Sequence, residues 1–190
     1  MVNVSIIGKG NMGQAISSVF SKAGATIQLL GSGDAATAAY GDIIVLAVPY
    51  PAIEGIIAER GEQLEGKIIV DITNPLNFET FDSLTVPADS SATAEISKAL
   101  PNSRVIKAFN TNFASTIAEG KVGTTPTTVL IAGDDEDAKS QLADLVTAGG
   151  LRAIDAGASK RARELEAIGF MQISLAAGEK IAWTGGFGVN

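Results

Sequence analysis

The sequence predicts an α/β protein built on a doubly wound, mostly parallel sheet, with a shortened first half and a C-terminal helix. Three observations carry this. Short β-branched runs alternate with longer stretches of helical periodicity. A glycine-rich turn follows the first run and opens the first helix. Only residues 31–41 separate the second run from the third.

The first strand is expected over residues 2–7. After the glycine turn, Ala15, Ile16, Val19, Phe20 and Ala23 recur at helical spacing, and Gly24 is placed to end that helix. A second strand over 25–30 completes a strand–helix–strand unit. A helix, a further strand and another helix before Asp42 would need at least about 30 residues. Residues 35–40 can supply one or two helical turns, so the unit that normally adds the outermost strand is missing, and the first five strands take the order 2-1-3-4-5. The third strand, 42–48, is apolar enough to be buried on both faces, and Pro49 and Pro51 end it. A helix over 52–64, a strand over 67–72, a loop over 78–91 and a short helix over 92–100 follow. Further strands are expected at 104–109, 127–132 and 151–155. A helix runs to about residue 148 between the last two, and a final helix covers 160–177. The whole chain, 1–190, reads as one dinucleotide-binding domain of Rossmann-like type. Its core spans 1–155, and 156–190 form the C-terminal helix and tail.

Composition narrows the chemistry. At 46% hydrophobic and 18% charged residues, the 190-residue chain is globular rather than disordered. It has neither cysteine nor histidine, so disulfides, thiolate nucleophiles, imidazole or thiolate metal ligands and a Ser-His-Asp triad are excluded. No catalytic side chain and no metal ligand set stand out. Hydride transfer fits such a chain, because the cofactor carries the reactivity and the protein positions it. The formal charge of −7 argues against nucleic acid and anionic membrane as partners. No apolar run reaches the roughly 20 residues of a membrane span, and the start lacks a basic leader segment, so a cytoplasmic protein is expected.

Gly8, Gly10 and Gly13 fit G-x-G-x-x-G between a strand and a helix. Gly8 permits the tight turn, Gly10 the approach of a pyrophosphate, and Gly13 the packing of helix on strand. The helix N-terminus adds N–H groups and partial positive charge. At the end of the second strand, where NAD-binding chains place an acid, Gly31 stands instead. Ser32 can donate a hydrogen bond there, and Lys9 can reach the same pocket as a point charge. These residues favour NADP, whereas Asp34 nearby argues for NAD. Ala47-Val48-Pro49-Tyr50, Asn74-Pro75 and Ala108-Phe109-Asn110-Thr111 stand at the ends of three successive strands, where open α/β sheets bind ligands. They offer an apolar wall and polar groups for a nicotinamide carboxamide. Asn74 could equally be a turn residue and Asn110 a helix cap. The acidic run 134–137 reads as the charged start of a helix rather than a Mg²⁺ site, and Lys160, Arg161 and Arg163 as a solvated start to the last helix.

Several of these segments together resemble the coenzyme F420-dependent NADP oxidoreductases and the related cytoplasmic domains of STEAP-type metalloreductases. The resemblance rests on Gly8-Lys9-Gly10-Asn11-Met12-Gly13, Ala47-Val48-Pro49, Val70-Asp71-Ile72-Thr73-Asn74-Pro75, Val105-Ile106-Lys107-Ala108-Phe109-Asn110-Thr111 and Asp155-Ala156-Gly157. It implies NADPH hydride exchange with a deazaflavin (F420) or flavin lying against the nicotinamide. It also carries cofactor contacts onto Gly8, Lys9, Gly10, Asn11, Met12, Ser32, Val48, Pro49, Asn74, Ala108 and Asn110. The family often has Arg after the Ser32 position, where this chain has Gly33.

The leading expectation is an NADP(H)-dependent oxidoreductase with a flavin-like or other small acceptor. Tyr50, Phe113, Met171, Trp183 and Phe187 are candidates for the acceptor wall, with core or dimer-interface roles as the alternative. An NADP(H)-sensing or redox-regulatory module without turnover is the rival. A small-carbonyl dehydrogenase is disfavoured, because it needs a proton donor and Tyr50 is the nearest one. The glycine-rich tail 185–190 suggests a homodimer.

Overall fold

In the computed structural model, which describes residues 2–31, 34 and 39–190, seven strands form one sheet in the order β2-β1-β3-β4-β5-β8-β9. β1 (Asn3–Ile7), β2 (Thr26–Leu30), β3 (Ile43–Leu46), β4 (Ile68–Asp71) and β5 (Arg104–Lys107) are mutually parallel, in the 2-1-3-4-5 order expected. β8 (Thr128–Ala132) meets β5 antiparallel at the Lys107–Ala132 pair, and β9 (Arg152–Gly157) continues parallel to β8. β2 forms one edge of the sheet, as the short 31–41 segment requires, and β9 the other.

Helices cover both faces. α1 (Asn11–Lys22) and α5 (Glu136–Ala148) share one core layer, in which Ile16, Phe20, Leu142 and Val146 meet Ile6, Val45 and Ile106. α2 (Ile53–Leu64) and α3 (Ala92–Ala99) cover the other face with Ile53, Leu64, Ile96 and Leu100. Burial on both faces explains why β3 and β4 read as continuous apolar runs. α6 (Ala162–Ala177) packs beyond the ends of β4 and β5 rather than on a face: Gly169 lies against Asn74 and Asn110, and Gln172 Nε2 donates to Thr111 O.

Several expectations need correction. β3 ends at Leu46 rather than Val48: Ala47 N still donates to Ile7 O at 2.8 Å, and beyond it the chain turns at Pro49 into the 3₁₀ turn. β5 stops at Lys107, because Phe109 takes a φ of 61° and turns the chain. 3₁₀ turns at Tyr50–Ala52 and Ser159–Arg161 precede α2 and α6, which therefore start later than expected. α4 (Ala114–Glu119) and the hairpin of β6 (Lys121–Val122) and β7 (Thr125–Pro126) were not expected. The expected helical turns at 35–40 fall largely outside the described residues, as does Ser32.

Asp135 caps α5 by accepting from Ala138 N, with Glu136 and Asp137 in the first turn. Asp134 is held by Ser159, which keeps its carboxyl below the usual range. Among the described residues no cluster of His, Cys, Asp and Glu could hold a metal ion, and no helix is long and apolar enough to cross a membrane.

Candidate dinucleotide and acceptor site

The three glycines of the first turn are not equivalent. A Cβ on Gly8 would lie 2.0 Å from Ala47 O, and its φ of 124° is a region that side chains avoid. A Cβ on Gly13 would lie 1.9 Å from Gly8 O. Both are required by the fold. A Cβ on Gly10 would meet nothing within 4 Å, and its φ of −72° is ordinary. The protein itself therefore makes no demand for glycine there, and the open space lies at the N-terminus of α1. That terminus has no side-chain cap and no acidic residue in its first turn, so its N–H groups and positive dipole end face outward. Such a terminus fits a pyrophosphate.

The turn after β2 lies beside the first glycine turn. Gly8 N donates to Leu30 O at 2.7 Å, which ties the first turn to the end of β2. The stem of Lys9 lies over Gly31, with its Cδ 3.3 Å from where a Cβ would stand. Its Nζ is paired with Asp34 at 2.8 Å, and Asp34 also accepts from Gly31 N at 2.6 Å. The Gly31 N–H, then Lys9, hold the Asp34 carboxyl below its ordinary value. Lys9 thus sits where the sequence placed it, but it already has an anionic partner.

At the other end, the segments after β4 and β5 meet. Asn74 Nδ2 donates to Asn110 O, and Asn110 Nδ2 donates to Asn74 Oδ1 and to Leu165 O, each at 2.8 Å. Neither residue plays its local alternative: Asn74 bonds 36 residues away, and the cap position of α4 belongs to Phe113. The left-handed Phe109, fully buried and edge-on to Phe20 with ring centroids 5.9 Å apart, makes the turn that delivers Asn110. Asn110 Oδ1 and Asn112 Oδ1 are buried acceptors without a donor among the described residues. A ligand amide could satisfy them, since buried polar atoms are normally paired.

A cavity of about 440 Å³ lies between the start of α1 and the asparagine pair. Asn11 and Met12 enter it from the first turn, Asn74 and Asn110 from the sheet edge, and Phe113 and Trp183 from the far side. The rings of Phe113 and Trp183 stand 5.0 Å apart, and Ser115 Oγ donates to Trp183 O, which fixes the tail over the cavity. Phe109, part of the Ala108–Thr111 strand end, also lines it, as do Phe78 and Ile173, which were not singled out in the sequence. Tyr50 lies elsewhere, in a groove of about 310 Å³ with Glu54 and Glu95, and burial raises its phenol pKa. Met171 and Phe187 are exposed and do not line the cavity.

Behind the asparagine pair lies a cluster that sequence reasoning missed. Lys107 Nζ sits 2.8 Å from both Asp71 and Glu166 and donates to Thr73 O, and all three charged side chains are buried. Thr93 Oγ1 and Thr73 N also donate to Asp71, while Glu166 accepts from Ala92 N at the start of α3. The cluster joins β4, β5, α3 and α6 at one point. Burial raises the Glu166 carboxyl pKa, against the opposing pull of Lys107. One signal was available: Asp71 and Lys107 are opposite charges, cross-strand neighbours at the ends of two apolar strands.

Comparison with known proteins agrees with this architecture. Residues 26–75 match the family described as NADP oxidoreductase, coenzyme F420-dependent. The F420-dependent NADP reductase of Methanocaldococcus jannaschii is 31% identical over 171 residues, covering 88% of this chain and 76% of that protein. Metalloreductase STEAP3 of Rattus norvegicus is 35% identical over 113 residues, covering 59% of this chain but 22% of that protein. A crystal structure of an Arthrobacter sp. FB24 protein shares the fold over 100% of both chains, with a TM-score of 0.83 at 24% identity. The chain belongs to the F420-dependent NADP reductase family.

Proposed function

We propose that this protein is an NADP(H)-dependent oxidoreductase that exchanges hydride between nicotinamide and a small planar acceptor of deazaflavin or flavin type. The observation that carries this reading is the continuity of the site. Gly10, where a Cβ would meet nothing within 4 Å, directly precedes Asn11 and Met12, and these two line the aromatic cavity that also holds Phe113 and Trp183. A dinucleotide laid along the strand ends would place its pyrophosphate on the α1 N-terminus and its nicotinamide against Ile72, Asn74 and Asn110. Bound there, the nicotinamide supplies the hydride, two electrons and a proton moving together. The chain's own part is to bind, to orient through the Asn74–Asn110 pair, and to hold the acceptor ring between apolar walls.

Among the described residues lining the cavity, none is titratable. That suits transfer to a flavin-like ring, whose accompanying proton can come from solvent, better than reduction of a carbonyl, which needs a positioned acid. The reading takes 1–190 as one dinucleotide-binding unit in which α6 and the tail supply the acceptor wall. Titration with NADPH and NADH, followed by single-turnover assays against F420, FMN and a quinone, tests it. Oxidation of bound NADPH by at least one planar acceptor is expected. Tight NADPH binding with no oxidation by any of them would leave a nucleotide-sensing module instead.

A further inference from the structure

We infer that Asp34 sets the choice between NADP and NAD, by competing with the 2′-phosphate for Lys9. The inference rests on the dinucleotide reading above and concerns its adenosine end.

Two donors converge at the end of β2, Lys9 Nζ and Gly31 N, and both reach the same oxygen, Asp34 Oδ2, at 2.8 and 2.6 Å. These are the donors a 2′-phosphate at this turn would need. Asp34 therefore stands in for the phosphate as the anion of the site. Its main chain is held from behind. The buried Arg60 of α2 donates from Nη2 to Asp34 O and from Nη1 to Tyr40 Oη, each at 2.9 Å. A phosphate of about −1.5 to −2 charge can take Lys9 only if the Asp34 side chain gives it up, and the two anions then repel at close range. NADH lacks the phosphate and brings ribose hydroxyls, which can donate to the carboxylate where it stands. Lys9 and Asp34 are both half-exposed, so exchange between the two partners is cheap and the latch can turn over.

The test is a set of equilibrium titrations of NADPH and NADH on four proteins: wild type, Asp34→Asn, Lys9→Met and the double variant. Asp34→Asn is expected to tighten NADPH about tenfold and to leave NADH unchanged or weaker. Lys9→Met is expected to weaken NADPH selectively. In the Lys9→Met background the gain from Asp34→Asn should shrink to about threefold or less, because the lysine it would free is gone. An unchanged NADPH/NADH ratio in Asp34→Asn, or a gain of equal size with and without Lys9, overturns the latch while the dinucleotide reading stands. Failure of wild type to bind either nucleotide overturns both.

Discussion

The two ends of the candidate site are held by charged groups in opposite ways. At the proposed adenosine end, Lys9 and Asp34 form one ion pair with side chains 51% and 40% exposed. At the proposed nicotinamide end, Asp71, Lys107 and Glu166 form a triad with side chains at most 1% exposed, satisfied further by threonine hydroxyls and helix N–H groups. An exposed pair adds little stability and exchanges partners readily. A buried triad gains little net stability over an apolar core, yet removing one member is costly, so it fixes geometry. Under the proposed placement, the adaptable pair stands where a phosphate would be recognised and the rigid triad where two reacting rings would be aligned.

The largest expected effect comes from breaking the rigid end. Lys107→Met would leave two buried carboxylates facing each other without a cation. A loss of about 3–5 kcal/mol is expected, read by urea or thermal unfolding. A change no larger than that of a surface substitution would show that the triad does not anchor α6.

Gly169→Ala is next. The added Cβ would stand 2.3 Å from Asn74 Oδ1 and 2.8 Å from Asn110 O, so α6 or the asparagine pair must shift. The expected cost is about 1–3 kcal/mol, accompanied by weaker NADPH binding. Unfolding curves and titrations on the same preparation check both, and full affinity in a destabilised variant would separate the pair from the cofactor.

A smaller effect is the pH dependence of Glu166. Burial raises its folded pKa above the ordinary 4.5. A carboxyl so shifted binds its proton more tightly in the folded state. Its stabilising contribution is complete below the unfolded value and is lost as pH rises through the folded one. The melting-temperature advantage of wild type over Glu166→Gln should therefore shrink as pH is raised from the ordinary carboxylate value of 4.5 upwards. An advantage that widens over that range would mean that Lys107, not burial, governs the group. Asp34→Asn, by contrast, breaks an exposed pair and should leave the melting temperature close to that of wild type across the same pH range.

The same contrast explains what the sequence disclosed. The central strands β3 and β4 were legible because burial on both faces demands β-branched apolar runs. β2 and β9, only partly buried, were legible from their place in the strand–helix alternation, and the order of the first five strands followed from the short segment 31–41. α4 and the β6–β7 hairpin escaped because they are too short to display a period; only Thr116 and Ile117 of α4 are buried. At the site, the glycines, Lys9, Asn74 and Asn110 were legible as motif residues at strand ends. The sequence could not show that Asn74 and Asn110 bond each other, since 36 residues separate them. Nor could it show that Glu166, from the last helix, completes a cluster begun by Asp71 and Lys107. Such long-range polar pairing leaves no periodic trace. Tyr50, one of the candidates for an acceptor wall, lines a separate groove, because proximity to Pro49 in sequence does not fix the side to which a 3₁₀ turn carries its ring.

The most direct test of the account compares NADPH affinity in wild type and Gly10→Val. The protein leaves the space at Gly10 open, so the variant should fold and melt nearly as wild type does. Loss of NADPH binding by about a hundredfold or more is expected, since the side chain would occupy the path of the pyrophosphate. Unchanged affinity in a folded Gly10→Val protein would contradict the placement of a dinucleotide on this turn.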